Sequence, residues 1–434
     1  ASITGALDLT GATAQGRVVL GNCTFDTAIT AQDANLAALG LDGSTLPGLD
    51  LQRAKITGPV FLRDGFHATG GVTLSGATIG GNLSCTGGRF DNVGEHALNA
   101  QRAQVTGSVL LSDGFHATGG VTLAGATIGG QLACDGGRFD NAGRDALDAQ
   151  GARVSGPVLL RDSFHATGEV TLAGTTIGGQ LACDGGRFEN AGGLALDLQR
   201  ARVTESFLFR GVTGTAGIVA LSAAHAGDLV DDLASWPEGE NRLILDGFTY
   251  DRLAGGAPTD AARRLPWLAR GAVWQGEFRP QPYQQLAKVL REMGHERDAK
   301  AVHIMRHRLT ARYERARRWQ SAKGIGMLWA VPRHGWNWFW SQILRGLTGY
   351  GYKPLRSLVA LVALFLAATA LAHFAWEEGS MAPNSGVLLT SEGWRAYAEA
   401  PDVANPAAAW AAADGPGRDW ESFNRYAYAA DVVI

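Results

Sequence analysis

The chain has 434 residues, 46% of them hydrophobic and 18% charged, with a formal net charge of -3. That length allows two or three domains and a sizeable core. Four cysteines with no Cys-x-x-Cys exclude a disulfide framework, a zinc ribbon and a thioredoxin-type motif, and 59 glycines without a collagen period exclude a collagen helix.

From the N-terminus, residues 1–215 are built on a 49-residue period. Phe66, Phe115 and Phe164 keep it, as do Cys85, Cys134 and Cys183, and Ile79, Ile128 and Ile177. A fixed period of this size points to a solenoid or a propeller. Each period holds four short alternating stretches, such as Val60-Phe61-Leu62, Val72-Thr73-Leu74, Leu83-Ser84-Cys85 and Leu98-Asn99-Ala100, separated by Gly, Asn and Asp turns too short for helices. A propeller blade needs longer strands. The pattern predicts a mainly β fold, a single-stranded β-helix with two coils per 49-residue repeat. One coil spans roughly 58–80, the next 81–107, and about nine coils fit before Thr215. The opening "ITGALDLTGATAQGRVVLGN" reads as a degenerate coil with Leu20 at the Cys85 position.

Three Cys and three His in register invite a metal-array reading, which the coil spacing opposes. Stacked coils lie ~4.8 Å apart, so residues 49 apart sit ~9–10 Å apart. A disulfide needs Cα atoms within about 4.4–6.8 Å, and zinc needs every thiolate about 2.3 Å from one ion. Cys85, Cys134 and Cys183 are expected as inward core fillers. His67, His116 and His165 are expected beside the turn "GFHATG", Asn92, Asn141 and Asn190 as a turn column, and Asp64, Asp113 and Asp162 as turn caps. No carboxylate pair recurs in a way that suggests glycoside cleavage. A net -5 over residues 1–215 is too weak for nucleic-acid mimicry.

Residues 216–275 read as a terminal coil and cap. Over residues 276–323 the period becomes helical, predicting a basic hairpin. Its first helix runs from about Tyr283 to Met293, stopped by Gly294, and its second begins near Glu296 with an apolar stripe of Ala299, Val302, Met305, Leu309 and Ala316. His303 and His307, four apart on this helix, are weak candidates for a metal pair; no HExxH motif and no third ligand accompany them, so no metal or cofactor is expected. Residues 270–356 carry 17 Lys/Arg against 5 Asp/Glu. Within this block Arg306, Arg308, Arg312, Arg315, Arg317, Arg318 and Lys323 meet a single acid, Glu314. Trp329, Trp336, Trp338 and Trp340 follow in a segment, 324–355, of the composition that settles at a membrane–water interface.

Residues 356–376 then include "SLVALVALFLAATALAHFAW", free of Asp, Glu, Lys and Arg and long enough to cross a ~30 Å hydrocarbon layer. Lys353 and Arg356 before it and Trp376 at its end complete the expected membrane-interface set. The positive-inside rule places the solenoid on the cytoplasmic side of a bacterial inner membrane. Residues 377–434 are then an extracytoplasmic loop leading toward a second span, with more chain expected past Ile434. The expected partners are anionic lipid at the hairpin and a protein, or a second copy, along the solenoid, with no nucleic acid. "LTGYGYKP" lacks one residue of a potassium-channel filter and reads as a turn feeding the span.

The coils of the form GxVxLxGAxIGGxLxC, "FRPQPYQQLAKVLREMGHERDAK" and "LTGYGYKPLRSL" before a span together resemble a bacterial, chiefly actinobacterial, family labelled membrane-associated oxidoreductases. The coils also resemble pentapeptide-repeat solenoids, at nearer 24 residues per coil than 20. The resemblance implies a membrane-bound redox enzyme, but brings no catalytic residue with it, and no GxGxxG after a strand or CxxCH is present. The residues themselves favour a non-enzymatic, membrane-anchored scaffold, interaction or sensing module, with an oxidoreductase or a subunit of an oligomeric pore as alternatives.

Overall fold

The computed structural model describes residues 1–321, 354–382, 389–413 and 423–433. They fall into two compact units, Ala1–Arg317 and Arg318–Ile434.

The first unit is mainly β, a parallel solenoid of about 11 turns. A typical coil has four sides, here the strands His67–Ala68, Val72–Thr73, Thr78–Ile79 and Leu83–Ser84. Each strand pairs in parallel with its equivalents in the coils before and after, as Leu83 does with Val60 and Val109. Strands of two residues suffice because every backbone group finds its partner in the next coil rather than along the strand. Two sides, His67–Ala68 and Thr78–Ile79, fall in segments whose composition suggests turns; two residues are too few for alternation to show. Strands of this kind continue past Thr215 through Thr249–Leu253.

Coil length alternates. His67 pairs with Arg89 and Arg89 with His116, so a coil of 22 residues is followed by one of 27. Most of the difference is an outward loop on every second coil, inside the long strands Arg89–Asn99, Arg138–Asp148 and Arg187–Asp197.

The interior is apolar and columnar. Phe66, Phe90, Phe115, Phe139, Phe164 and Phe188 form one ladder with ring centroids 5.1–5.4 Å apart, a spacing at which aromatic pairs add to simple burial. Cys85, Cys134 and Cys183 are fully buried in another column. The pairing of Val60, Leu83, Val109, Leu132, Val158 and Leu181 places Leu62 before the first thiol and Leu111 and Leu160 between successive ones. The cysteines are therefore fillers kept apart by leucine.

The C-terminal end of the solenoid is closed by helices α1 (Ala261–Gly271) and α2 (Gln281–Glu292). Gly271 has no side chain because a Cβ there would sit 2.4 Å from the Leu245 side chain. Its carbonyl accepts from Leu245 N–H. The Gln281 side chain accepts from Gly247 N–H and donates to the Phe248 carbonyl, while Gln285 donates to the Tyr250 carbonyl. These bonds satisfy an edge that would otherwise expose backbone groups. Beneath α1 the fully buried Arg264 donates to both oxygens of Asp231, at 2.8 and 2.6 Å, and to the Pro258 carbonyl; Trp236 Nε1 also donates to Asp231.

Helix α3 (Glu296–Ser321) buries Ala299 and Val302, and Met305 and Leu309 pack at the core's margin. Its stripe then turns to Tyr313, which stacks on Phe278 at 5.1 Å, whereas Ala316, expected in the stripe, is exposed. Helical periodicity continued past the point where the cap ends.

In the second unit the helix Pro354–Glu377 contains Leu358–Glu377, 20 residues of mean hydropathy 2.3, long and apolar enough to cross a membrane. Leu364, Leu371 and Phe374 are each more than half exposed, so the described residues supply little cover. The helix Arg425–Val433 packs on it with Ala429 and Ala372 buried, and Phe423 stacks on Trp376 at 4.7 Å.

Candidate functional site

The outward loops are the places where the solenoid departs from a plain stack. Their sequences are Asn-Val-Gly-Glu-His (92–96), Asn-Ala-Gly-Arg-Asp (141–145) and Asn-Ala-Gly-Gly-Leu (190–194). In each, the Asn side chain donates to the carbonyl four residues on, of His96, Asp145 and Leu194, closing the loop as the expected turn column would. Each loop rests on a glycine of the next coil. A Cβ at Gly168 would lie 2.5 Å from the Asn141 carbonyl and 2.7 Å from that of Arg144, and Gly119 is hemmed in the same way by Asn92 and Glu95.

Arg144 Nη1 reaches back to the Gly94 carbonyl at 2.5 Å and ties the second loop to the first. Beside this bridge lies an open surface cleft of about 340 Å³ lined by Gly94, Glu95, His96, Asn141, Arg144 and Asp145, all exposed except the half-buried Asn141. Strand register sets the neighbours of its lining residues: His96 pairs with Gly120, and Asp145 with Glu169 one repeat further on. Gly120 is buried between the two loops, with the His96 ring, the Asp145 carbonyl and the Asn141 amide around its missing side chain. One repeat on, Glu169 stands where the other copies have Gly71 and Gly120.

The acids here are strained electrostatically. Burial, then Asp145, Asp197 and Asp148, push Glu169 up to about 7. Asp145 is also raised, by burial and by Asp148, against an opposing pull from His96. Neither carboxylate has a hydrogen-bond or ion-pair partner among the described residues. Raised acids beside a cleft mark candidate sites.

The same strands, with those paired to them, carry the histidine column. His67, Arg89, His116, Arg138, His165 and Arg187 alternate up one line of the sheet. Asp91, Asp140 and Glu189 accept from both kinds of residue, at 2.9, 3.0 and 3.2 Å from His67, His116 and His165. Burial alone would raise these acids; bonds from Arg and then His reverse it and hold all three below the usual range. Each histidine thus begins a strand and pairs across coils with one carboxylate. Asp64, Asp113 and Asp162 occupy left-handed corners, with φ of 52°, 50° and 51°.

On α3, His303 Nε2 lies 3.0 Å from an Arg291 guanidinium nitrogen and His307 Nε2 lies 3.3 Å from Arg306. Burial and then neighbouring arginine charge lower both imidazoles. A guanidinium on the ligating nitrogen opposes a cation there, and among the described residues no group of three His, Cys, Asp or Glu has metal-holding geometry. Arg308, Arg312, Arg315 and Arg317 are exposed along the same helix and Arg306 is half-buried. Arg318 and Arg356 are described by backbone alone, Trp376 ends the apolar helix, and Lys323, Trp329, Trp336, Trp338, Trp340 and Lys353 lie outside the described residues. Burial pushes the thiols of Cys85, Cys134 and Cys183 upward, away from the reactive thiolate.

The loop cleft was not foreseen. Its signal was present in the sequence: the three repeats agree at Asn, Gly and the following Ala-Leu, but differ at 95–96, 144–145 and 193–194, and at Glu169. Compared with family models, curated proteins and solved structures, the chain finds no match.

Proposed function

We propose that the protein is a membrane-anchored solenoid whose role is binding and presentation. The observation that carries this reading is the coupling, in one chain, of a capped solenoid of about 11 turns to a helix fit to cross a bilayer. Repetitive solenoids present long surfaces on which single contacts add up. The arginines of α3 favour anionic headgroups, each worth about 1 kcal/mol near a charged surface. Cytoplasmic placement of the solenoid follows from the basic residues preceding the apolar helix.

The test is fractionation of the full chain. Wild type should remain with membranes after alkaline extraction, while Leu361→Arg with Leu364→Arg should move it to the soluble fraction; an unchanged distribution overturns the anchor. Arg308→Glu with Arg312→Glu should weaken binding to vesicles containing phosphatidylserine and leave neutral vesicles unaffected. Equal binding of wild type and this double variant to anionic vesicles overturns the headgroup contact.

A further inference from the structure

The cleft beside the Arg144 bridge is built by departures from the repeat, and its lining identifies what fits it. Three features coincide. Gly120, buried under the two loops, lets His96, Asn141 and Asp145 approach closely, where the matching position of the next repeat carries Glu169. The bridge from Arg144 to Gly94 holds the two loops as one unit over 50 residues of chain. The third loop carries Gly193 and Leu194 in place of Arg144 and Asp145, so the polar arrangement is made only between the first and second loops.

The lining mixes donors and acceptors. Arg144 spends one of its five N–H donors on Gly94, leaving the rest of the fork available. His96 adds an imidazole, Glu95 and Asp145 add carboxylates, and the Asn141 side chain, donating through Nδ2, keeps its oxygen as an acceptor. A lone anion would meet two carboxylates here and a lone cation would meet a guanidinium. Among the described residues no Phe, Tyr or Trp ring lines the cleft, so it offers no stacking platform for a flat aromatic ligand. Hydroxyl groups both donate and accept, and adjacent hydroxyls match the two oxygens of a carboxylate or the fork of a guanidinium. The volume, about 340 Å³, stands at the lower end of ligand sites and suits one or two sugar rings.

The geometry points to a binding site for a neutral, polyhydroxylated ligand, a saccharide, between loops 92–96 and 141–145. Asp145 and His96 flank the ring, and Arg144 and Asn141 stand on its other side. Without an aromatic platform the affinity for a single sugar is low, in the millimolar range.

The repeat supplies its own controls. Gly120→Glu copies Glu169; Gly120 does not adopt a left-handed φ, but a Cβ there meets His96 Nδ1 at 3.1 Å and the Asp145 carbonyl at 3.3 Å, so the side chain displaces the loop groups that line the site. Arg144→Gly with Asp145→Leu copies the third loop. The full chain in a sugar-free detergent is titrated by NMR and calorimetry with glucose, galactose, mannose, N-acetylglucosamine and their disaccharides, and in parallel with glycine, β-alanine and butylamine. Saturable binding of at least one saccharide is expected, weakened by about tenfold or more in both variants while the melting temperature of each stays within a few degrees of wild type. The proposal is overturned if no saccharide saturates, if only the charged compounds bind, or if a folded Gly120→Glu variant binds sugar as wild type does. Should that variant unfold, the loop pair decides alone by the same criteria.

Discussion

Asp140 and Asp145 leave the same strand on the same flank of the solenoid, yet their surroundings drive their carboxyls in opposite directions. Asp140 sits in the ladder, where Arg138 and His116 overcome its burial and hold it low. Asp145 sits in the loop, where burial and Asp148 raise it and Glu169 lies directly across the next strand. A stack of repeats copies every side chain at a fixed interval, so like charges accumulate unless opposite ones alternate with them. The ladder column alternates His and Arg and settles its acids. The loop positions do not alternate in this way: His96 pairs with Gly120, and Asp145 with another acid, Glu169. Acids raised beside a cleft in an otherwise orderly stack single out this region as the candidate site.

Substitutions can break this comparison, beginning where the interior is least forgiving. Arg264→Met leaves the buried Asp231 charge unpaired beneath α1 and should cost about 3–5 kcal/mol. Denaturant unfolding should show it, and hydrogen exchange should rise first at the cap; an unchanged midpoint would mean that the cap is not integral to the solenoid. Phe139→Ala interrupts the phenyl ladder between Phe115 and Phe164 and should cost about 3–5 kcal/mol. Replacing Cys85, Cys134 and Cys183 together with Ala should cost only about 1 kcal/mol per site and leave binding intact. Specific loss of binding in the folded triple variant would contradict the filler role.

The smallest effect sharpens the contrast most. Glu169 has a raised pKa, so between the unfolded value near 4.5 and about 7 the native state holds a proton that the unfolded chain has lost. Its contribution to stability is full below about 4.5 and disappears as pH rises through 7. Glu169→Gln removes that slope and should be more stable than wild type at pH 8, by less than about 2 kcal/mol after solvent screening. Asp91, Asp140 and Glu189 act with the opposite sign. Their stabilisation is present above the normal carboxylate range and is lost as pH falls through their lowered values. Parallel unfolding curves for wild type and Glu169→Gln from pH 4 to 8 would contradict the raised acid.

Much of the fold was legible because a period needs no tertiary information. The 49-residue step in Phe66, Cys85 and Ile79 implied two stacked coils, and inter-strand spacing alone turned the cysteines from ligands into fillers. Gly294 marked the turn between α2 and α3 by the same kind of local logic, adopting φ of 84°. Local patterns failed where burial depends on what lies opposite. Ala316 keeps the helical spacing of the stripe but has no cap beneath it, and His67 looked like a turn residue until its strand found Thr45 and Arg89 on either side.

The sequence by itself determined the repeat, the inward alternation and the apolar segment near 358–377, since each depends only on residue type and spacing along the chain. The tertiary structure alone decided that Arg144 meets Gly94, that Gly120 lies between His96 and Asp145, and that Glu169 faces Asp145. Those neighbours are set by the lengths of alternating 22- and 27-residue coils. A register of that kind is fixed only when the chain closes each turn on the one before it.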